Sequence, residues 1–210
     1  MDRADELRVF LADQTQAAVR EGLWTFGGGY CTYHWIPPAS LHRLHAGWAE
    51  LAADLLLEQP SAGLLGFTHS SGIHWIREIA AVLERRAIEL PTTEIGMFSR
   101  ETWGTAFEHY PRRAPVTAFV DVHTLGGQIY LVRDLAAAHG LVVRRAICLV
   151  DRHPIRTTEL DGILVASVLH LPLSLWRPGH DAPPASGDLS QYMRAFRPRG
   201  RGTYGGPLLS

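Results

Sequence analysis

The sequence predicts an α/β fold in which a central parallel sheet is flanked by helices. The strongest observation is an apolar strand at residues 116–122, followed by a helical segment at 129–139 and a second apolar strand at 141–150. A parallel pair of strands needs a crossover of about a dozen residues or more, usually a helix. The helix between these two strands therefore predicts that they lie parallel. A second unit of the same kind starts at the buried run GLLGF, residues 63–67, which leads through THSSG into a helix at 73–86.

The N-terminal part of the chain adds three predicted elements before this second unit. Residues 3–21 have helical spacing of apolar side chains with acidic residues early, which predicts an amphipathic helix. The segment FGGGYCTYHWIPP, residues 26–38, combines glycines, aromatics and prolines and predicts extended, irregular structure. Residues 40–58 return to helical spacing, with Ser40 as the expected N-cap.

The remaining segments complete the predicted sheet. We expect a strand at residues 88–95 and a long loop at 97–115, a length that is often functional in compact domains. The apolar run GILVASVLHLPL, residues 162–173, predicts a strand and a short helix. From Trp176 onward the chain is rich in proline, glycine and arginine, which predicts a C-terminal tail at 176–210 after one domain at 1–175.

Composition excludes several classes of function. The 20 basic and 21 acidic residues leave a net charge of −1, so no overall basic field favours nucleic acid or an anionic membrane as a partner. Cys31 and Cys148 have no zinc-binding spacing, and the first residues contain no apolar signal segment. These features predict a cytoplasmic protein with reduced thiols. The chain contains no lysine, so all 20 basic residues are arginines.

The segment FVDVHTLGGQ, residues 119–128, carries the clearest chemical signal. It joins a buried strand to a helix through a turn that contains glycines and follows an acidic residue, Asp121. Unpaired N–H groups at a helix N-terminus suit a phosphate, and glycines let the ligand approach the backbone. The residues alone are more typical of an ordinary turn with a helix N-cap, since neither GxGxxG nor a Walker A lysine is present. Both interpretations stay open on the motif itself.

The wider segment, FVDVHTLGGQ followed by IYLVRDLAAAHGLVVRRAICLVDR, resembles the signature of type I phosphoribosyltransferases. In that family the strand ends in two acidic residues, followed after two positions by a phosphate-binding loop. Asp121 matches the second acid, and Val120 stands where the first acid is expected. The resemblance implies that Asp121 is catalytic, faces the ribose hydroxyls and binds Mg²⁺. It also implies that the loop binds the phosphate of 5-phosphoribosyl 1-diphosphate (PRPP) through Thr124, Leu125, Gly126, Gly127 and Gln128.

Three further stretches are similar to the orotate phosphoribosyltransferase branch, so that the resemblance covers about residues 5–175. GLWTFGGGYCTYHWIPP resembles the N-terminal hood, at about residues 20–38, GFTHSSGIHWIREIAAVL the pyrophosphate-binding strand and helix, and LVDRHPIRTTELDGILVASVLHL the closing strands. Their order implies the type I phosphoribosyltransferase fold with a small hood. It also implies pyrophosphate binding by Thr68, His69, Ser70, Ser71 and Gly72, and base binding by Phe26, Gly29 and Arg152. A surface turn at THSSG and a strand-end arginine at 152 are the alternatives.

The lysines of orotate enzymes have no counterpart here. Those enzymes carry one lysine in the hood near the position of Gly29 and another in a mobile loop that reaches a neighbouring subunit. Arg100 is the candidate catalytic cation ahead of that loop, and Arg112 or Arg113 are candidates at its far end. Arginine stays charged, so it stabilises departing pyrophosphate but does not act as a tunable proton donor.

The predicted function is transfer of a 5-phosphoribosyl group from PRPP to a ring nitrogen of a base, with release of pyrophosphate and Mg²⁺ as cofactor. The missing lysine favours an unusual pyrimidine, purine or deazapurine over orotate, in nucleotide or nucleoside biosynthesis. The resemblance also predicts a homodimer. Two alternatives remain: a non-catalytic sensor that binds PRPP or a nucleotide, and a nucleoside phosphorylase or hydrolase.

Overall fold

The structure is a computed structural model that describes residues 3–25, 29–37, 41, 45–57, 63–68, 81, 87–91 and 110–181. The helices whose bounds lie within these ranges are α1 (Arg3–Ala18), α2 (His45–Leu57) and α3 (Gly127–Ala138). Its strands are β1 (Arg20–Thr25), β2 (Cys31–Trp35), β3 (Leu64–Thr68), β4 (Ala87–Pro91), β5 (Pro115–His123), β6 (Val142–Asp151), β7 (Glu159–Leu160) and β8 (Ile163–His170).

The central sheet has the strand order β4-β3-β5-β6-β8-β7. Neighbouring strands from β4 to β8 run parallel, and the two-residue β7 pairs antiparallel with β8 at the edge. This arrangement confirms the predicted α/β fold with a central parallel sheet and flanking helices. Because the long strands run in one direction, their carboxyl ends lie along one edge of the sheet, where Asp151 pairs with both His123 and His170.

Each face of the sheet has its own apolar core. Successive side chains of a strand point to opposite faces, so Phe119 and Ile147 pack with α1 and α2, whereas Val120 and Cys148 pack with α3. Ile129 anchors α3 in the second core and is fully buried. The two cores together hold β5 and β6 between layers of helix, which makes them the central strands of the domain.

A separate hairpin stands beside the main sheet. Strands β1 and β2 pair antiparallel, and their core contains Leu23, Cys31, Tyr33 and Trp176. We call the described part of this region, residues 20–25 and 29–37, the hood. The backbone of Trp176 exchanges two hydrogen bonds with Cys31, so the chain beyond β8 is fastened to β2. The domain boundary expected at residue 175 stays a prediction, with Trp176 packed just beyond it.

Two local expectations from the sequence were wrong. The first helix ends at Ala18 rather than at residue 21, since Arg20 already pairs with Trp35 in the hood. The short helix expected within 162–173 is absent from the described residues, because strand-like pairing continues beyond β8. There the N–H groups of Leu171 and Leu173 donate to the carbonyls of Asp151 and Arg152. The two-residue β7 was not predicted.

Several predicted segments lie outside the described residues. Apart from Ala81, the helix expected at 73–86 is not described, nor is the loop expected at 97–115 before residue 110. Among the helices that are described, none has both the length and the apolar character needed to cross a membrane.

The packing of α3 generates a stability prediction. Ile129→Ala should lower the free energy of unfolding by about 2–5 kcal/mol, since it removes a buried side chain and leaves a cavity against the sheet. Ile155→Ala is the matched control, because Ile155 is 76% exposed and its loss should change stability by less than about 0.5 kcal/mol. Urea denaturation of both variants measures the difference. Equal losses would show that Ile129 does not anchor the helix.

Candidate functional site

The loop between β5 and α3 lies at the carboxyl edge of the central sheet. Only Thr124, Leu125 and Gly126 separate the end of β5 from the start of α3. Gly126 adopts a left-handed conformation, with φ 82° and ψ −3°, and its carbonyl accepts the hydrogen bond from the Tyr130 N–H at 2.9 Å. Because Gly126 has no side chain, it offers no side-chain acceptor to the N–H groups of the first helical turn. Those groups lie at the positive end of the helix dipole, which suits an anion.

The two glycines of the β5–α3 loop have different roles. A Cβ atom at Gly126 would lie 2.8 Å from Leu160 Cδ1 and 3.2 Å from Tyr130 Cε2, in a conformation that side chains rarely adopt. A Cβ atom at Gly127 would meet nothing within 4 Å. Gly126 is therefore required by backbone geometry and packing, whereas Gly127 leaves open space at the helix N-terminus. That open space leaves room for a ligand to approach the backbone.

Asp121 and Val120 lie just before this loop but differ in environment. The Asp121 side chain is partly buried, and its Oδ1 accepts a hydrogen bond from the Val122 N–H at 2.7 Å. Val120 is buried in the core beneath α3. A carboxylate is therefore present at the position of the second acid of the family motif, while an apolar core residue takes the position of the first.

Thr68 is the last residue of β3, which pairs with β5 on the side opposite to β6. The parallel register pairs Gly66 with Phe119, so Thr68 lies level with Asp121 on the adjacent strand. The start of the predicted pyrophosphate loop, Thr68, is thus close along the sheet to Asp121, which is predicted to face the ribose. The remaining predicted members of that loop, His69, Ser70, Ser71 and Gly72, lie outside the described residues, as do Phe26 and Arg100.

His123 forms a buried polar cluster next to the β5–α3 loop. Its Nε2 shares a hydrogen bond with Thr157 Oγ1 at 3.1 Å and lies 4.0 Å from Asp151 Oδ1. Burial lowers the pKa of His123, and the negative charge of Asp151 opposes that effect. The two Asp151 oxygens accept hydrogen bonds from the N–H groups of His153 and Thr157, at 3.0 and 2.7 Å. The cluster therefore holds the loop that follows β6 against the end of β5.

Arg152 lies where the main sheet meets the hood. Its side chain is almost completely buried, and its Nη2 donates to Thr32 Oγ1 and to the His34 carbonyl, both at 3.0 Å. Burial lowers the pKa of Arg152 to about 10, so the guanidinium remains charged at neutral pH. Direct contact between Arg152 and a base, which the sequence predicts, is not tested by these contacts. The two guanidinium hydrogen bonds given above both go to strand β2.

Other sequence candidates are spread more widely. Gly29 is exposed at the turn of the hood, with φ 78°, and a Cβ atom there would meet nothing within 4 Å. Arg112 and Arg113 precede the amino end of β5, so strand geometry puts them roughly 25 Å from Asp121. Arg112 and Arg113 therefore do not lie beside Asp121 of the same chain, and their predicted role at the far end of the loop expected at 97–115 stays a prediction.

Sequence reasoning missed the polar cluster of His123, Asp151 and Thr157, and also the role of Thr32. A signal for the first two was present, because each is a polar residue that ends a predicted apolar strand. Parallel strands bring such ends to the same edge. No comparable signal marked Thr32 or Thr157, whose importance depends on partners in distant segments.

Comparison with solved structures identifies the architecture. The chain is similar to the UMP synthase of Leishmania donovani, with a TM-score of 0.60 and 18% identity over 81% of this chain and 37% of that chain. It is also similar to the orotate phosphoribosyltransferase of Aeropyrum pernix, with a TM-score of 0.56 and 22% identity over 79% and 93% of the two chains. For the adenine phosphoribosyltransferase of Thermoanaerobacter pseudethanolicus, the TM-score is 0.55 with 14% identity over 76% and 99%.

These similarities show that the chain has the type I phosphoribosyltransferase fold, as its sequence predicts. The chain spans little more than a third of the length of the UMP synthase, and nearly the full length of the two phosphoribosyltransferases. No protein-family model and no curated protein matches the sequence.

The contrast between the two loop glycines gives a second prediction. Gly126→Ala should lower the free energy of unfolding by about 1–2 kcal/mol, because the left-handed conformation and the contact with Leu160 both oppose a side chain. Gly127→Ala should be neutral or stabilising by up to about 1 kcal/mol, since alanine favours the helix. Chemical denaturation of the pair measures this. Equal effects would contradict the loop geometry.

Proposed function

We propose that this protein transfers a 5-phosphoribosyl group from PRPP to a ring nitrogen of a heterocyclic base and releases pyrophosphate. The observation that carries the proposal is the open helix N-terminus at Gly127, which closely follows a carboxylate, Asp121, at the carboxyl edge of the sheet. In an open α/β sheet this edge is where ligands bind. The type I phosphoribosyltransferase fold supports the same choice of chemistry.

Each part of PRPP has a proposed partner at this edge. The 5′-phosphate would accept hydrogen bonds from the backbone N–H groups of the loop and first turn, residues 124–128. The ribose hydroxyls would donate to Asp121, and the pyrophosphate would lie beside Thr68 and the residues that follow it, 69–72. The register between β3 and β5 supports this arrangement, because it brings Thr68 level with Asp121.

The proposed reaction depends on position and charge more than on proton transfer. As the bond to pyrophosphate breaks, the anomeric carbon of the ribose gains positive character, and the leaving group gains negative charge. Asp121 would stabilise the ribose side, and Arg100 would stabilise the pyrophosphate as it leaves. A permanently charged arginine suits that second role, since it needs no change of protonation.

Mg²⁺ is the proposed cofactor, and the residues at the edge fit it in one respect. Magnesium is often held by one or two carboxylates together with substrate phosphates, and Asp121 supplies one carboxylate beside the proposed phosphate site. When bound, the ion would neutralise charge on the diphosphate. The buried Val120 supplies no second ligand, so Asp121 would be the main protein ligand at the motif.

The base would lie between the hood and the carboxyl edge of the sheet. Phe26 and Gly29, from the hood segment expected at residues 20–38, are the proposed contacts on this side, and direct contact by Arg152, which follows β6, is the alternative. The absence of lysine favours an unusual pyrimidine, purine or deazapurine over orotate as the accepted base. We also propose that the protein works as a homodimer in nucleotide or nucleoside biosynthesis.

One observation favours a second candidate function, a sensor that binds PRPP or a nucleotide without turnover. The first acid of the motif is replaced by Val120, which is 4% exposed and belongs to the apolar core. Valine has no polar side-chain atom that could bind a ribose hydroxyl or Mg²⁺, and its side chain is held in the packed core. Pyrophosphate release in the presence of PRPP and a panel of bases separates the two functions, because a sensor would bind PRPP without consuming it.

The phosphate site is tested by Gly127→Glu. A carboxylate at the first helical position should stabilise the helix by about 0.3–1 kcal/mol through the dipole. In the same variant it should weaken binding of ribose 5-phosphate on the order of tenfold by repulsion. Ala137→Glu, at the exposed far end of α3, adds the same charge and should leave binding unchanged. Calorimetry measures the affinity of each variant for ribose 5-phosphate. Unchanged affinity in a folded Gly127→Glu variant would disprove the proposed phosphate site.

The role of Asp121 is tested by Asp121→Asn, which keeps the shape and removes the charge. If the protein is a transferase, turnover should fall on the order of tenfold more than PRPP affinity, because the carboxylate acts most strongly on the charge that develops during reaction. Asp134→Asn, at an exposed position on α3, is the control. Pyrophosphate release and PRPP binding are measured for each. Full activity of the Asp121 variant would eliminate the proposed role.

A further inference from the structure

Arg152 is joined to three separate parts of the molecule. Its backbone N–H donates to the His123 carbonyl at 3.0 Å, and its own carbonyl accepts from the Leu173 N–H at 3.1 Å. The backbone is therefore held between the end of β5 and the segment that follows β8. From this fixed base the side chain extends into the hood.

The side chain of Arg152 meets the hood at one small cluster. Its Nη2 donates both to Thr32 Oγ1 and to the His34 carbonyl, across separations of 120 and 118 residues in the sequence. The Thr32 hydroxyl also accepts from the His34 N–H and donates to the His34 carbonyl, each at 3.2 Å. Thr32 is fully buried and Arg152 is 1% exposed. Both of these residues are thus closed to solvent, and the cluster links the main sheet to strand β2.

Strand β2 has a second attachment close to the first. Cys31 exchanges two backbone hydrogen bonds with Trp176, at 2.7 and 3.1 Å, and the rings of Tyr33 and Trp176 lie 4.5 Å apart. Attachments at neighbouring residues restrict how β2 can rotate or slide over the sheet edge. Buried hydrogen bonds to a charged group are stronger than exposed ones, and the groups left behind are unsatisfied when one partner is removed.

We propose that Arg152 is a positioning residue, which fixes strand β2 of the hood at the carboxyl edge of the sheet and sets base affinity through the hood rather than by touching the base. The part concerning the base rests on the proposed function; the part concerning the hood does not. The geometry carries the distinction, because the guanidinium donates to two groups of strand β2 and Arg152 exposes almost no surface to a ligand.

The first test needs no substrate. Thr32→Val removes the hydroxyl at constant shape, Arg152→Gln shortens the donor, and the double variant combines them. Arg144→Gln, at an exposed position on strand β6, is the control. Each of the two single variants should speed amide hydrogen exchange in β2 by about tenfold, equivalent to about 1.4 kcal/mol, and the double variant should add little. Fluorescence emission from the neighbouring Trp24 and Trp35, whose ring centroids lie 4.5 Å apart, should change in parallel.

The second test separates positioning from direct contact. Once an accepted base is found, Thr32→Val and Arg152→Gln should both raise the KM for the base about tenfold, with kcat and the KM for PRPP within about twofold. Thr32→Ser, which keeps the hydroxyl, should have the wild-type KM for the base. If Arg152→Gln alone raises the KM for the base while Thr32→Val behaves as wild type, Arg152 touches the base and the proposal is overturned.

The outcomes also separate this inference from the proposed function. A wild-type protein that neither binds ribose 5-phosphate nor releases pyrophosphate would disprove the proposed function, while the exchange data would still decide whether Arg152 fixes the hood. Additive or absent effects on β2 exchange would disprove the hood attachment even in an active enzyme. If Arg152→Gln does not fold, Thr32→Val compared with Thr32→Ser carries the test.

Discussion

The parallel pairing of β5 with β6 brings the ends of both strands to one level, with His123 opposite Asp151. Apolar cores on both faces of the sheet hold this pairing, and the polar groups begin where the cores end. The β5–α3 loop leaves from one strand end, and Arg152 follows directly from the other. Any shift in this register would therefore move the proposed phosphate site and the hood attachment relative to each other.

Two adjacent buried residues, Asp151 and Arg152, organise the two sides of the proposed site. The oxygens of Asp151 accept backbone hydrogen bonds from the loop that follows β6, and the guanidinium of Arg152 donates to the hood. A buried charge is tolerated only when its hydrogen-bonding groups are satisfied, and these contacts contribute to that satisfaction. The same contacts give both side chains a fixed geometry, which a binding site for a ribose and a base requires.

The proposed site has fewer kinds of charged side chain than the family motif implies. One motif carboxylate, Asp121, stands where two are expected, because Val120 belongs to the apolar core beneath α3. The chain has no lysine, so its cations are arginines that stay charged at neutral pH. Such a site can stabilise a charged transition state by fixed groups, and its binding of PRPP would depend strongly on the backbone N–H groups near Gly127.

The sequence by itself determined the parallel sheet, because apolar strands at 116–122 and 141–150 flank a helix of the length that a crossover requires. It also identified the loop at Gly126, since a glycine between strand and helix reports a local backbone constraint. Only the tertiary structure decided the partners of Arg152 and the pairing of Cys31 with Trp176. Strand and helix periodicity arise from neighbours a few residues apart, whereas these contacts join segments more than 100 residues apart and leave no periodic trace in the sequence.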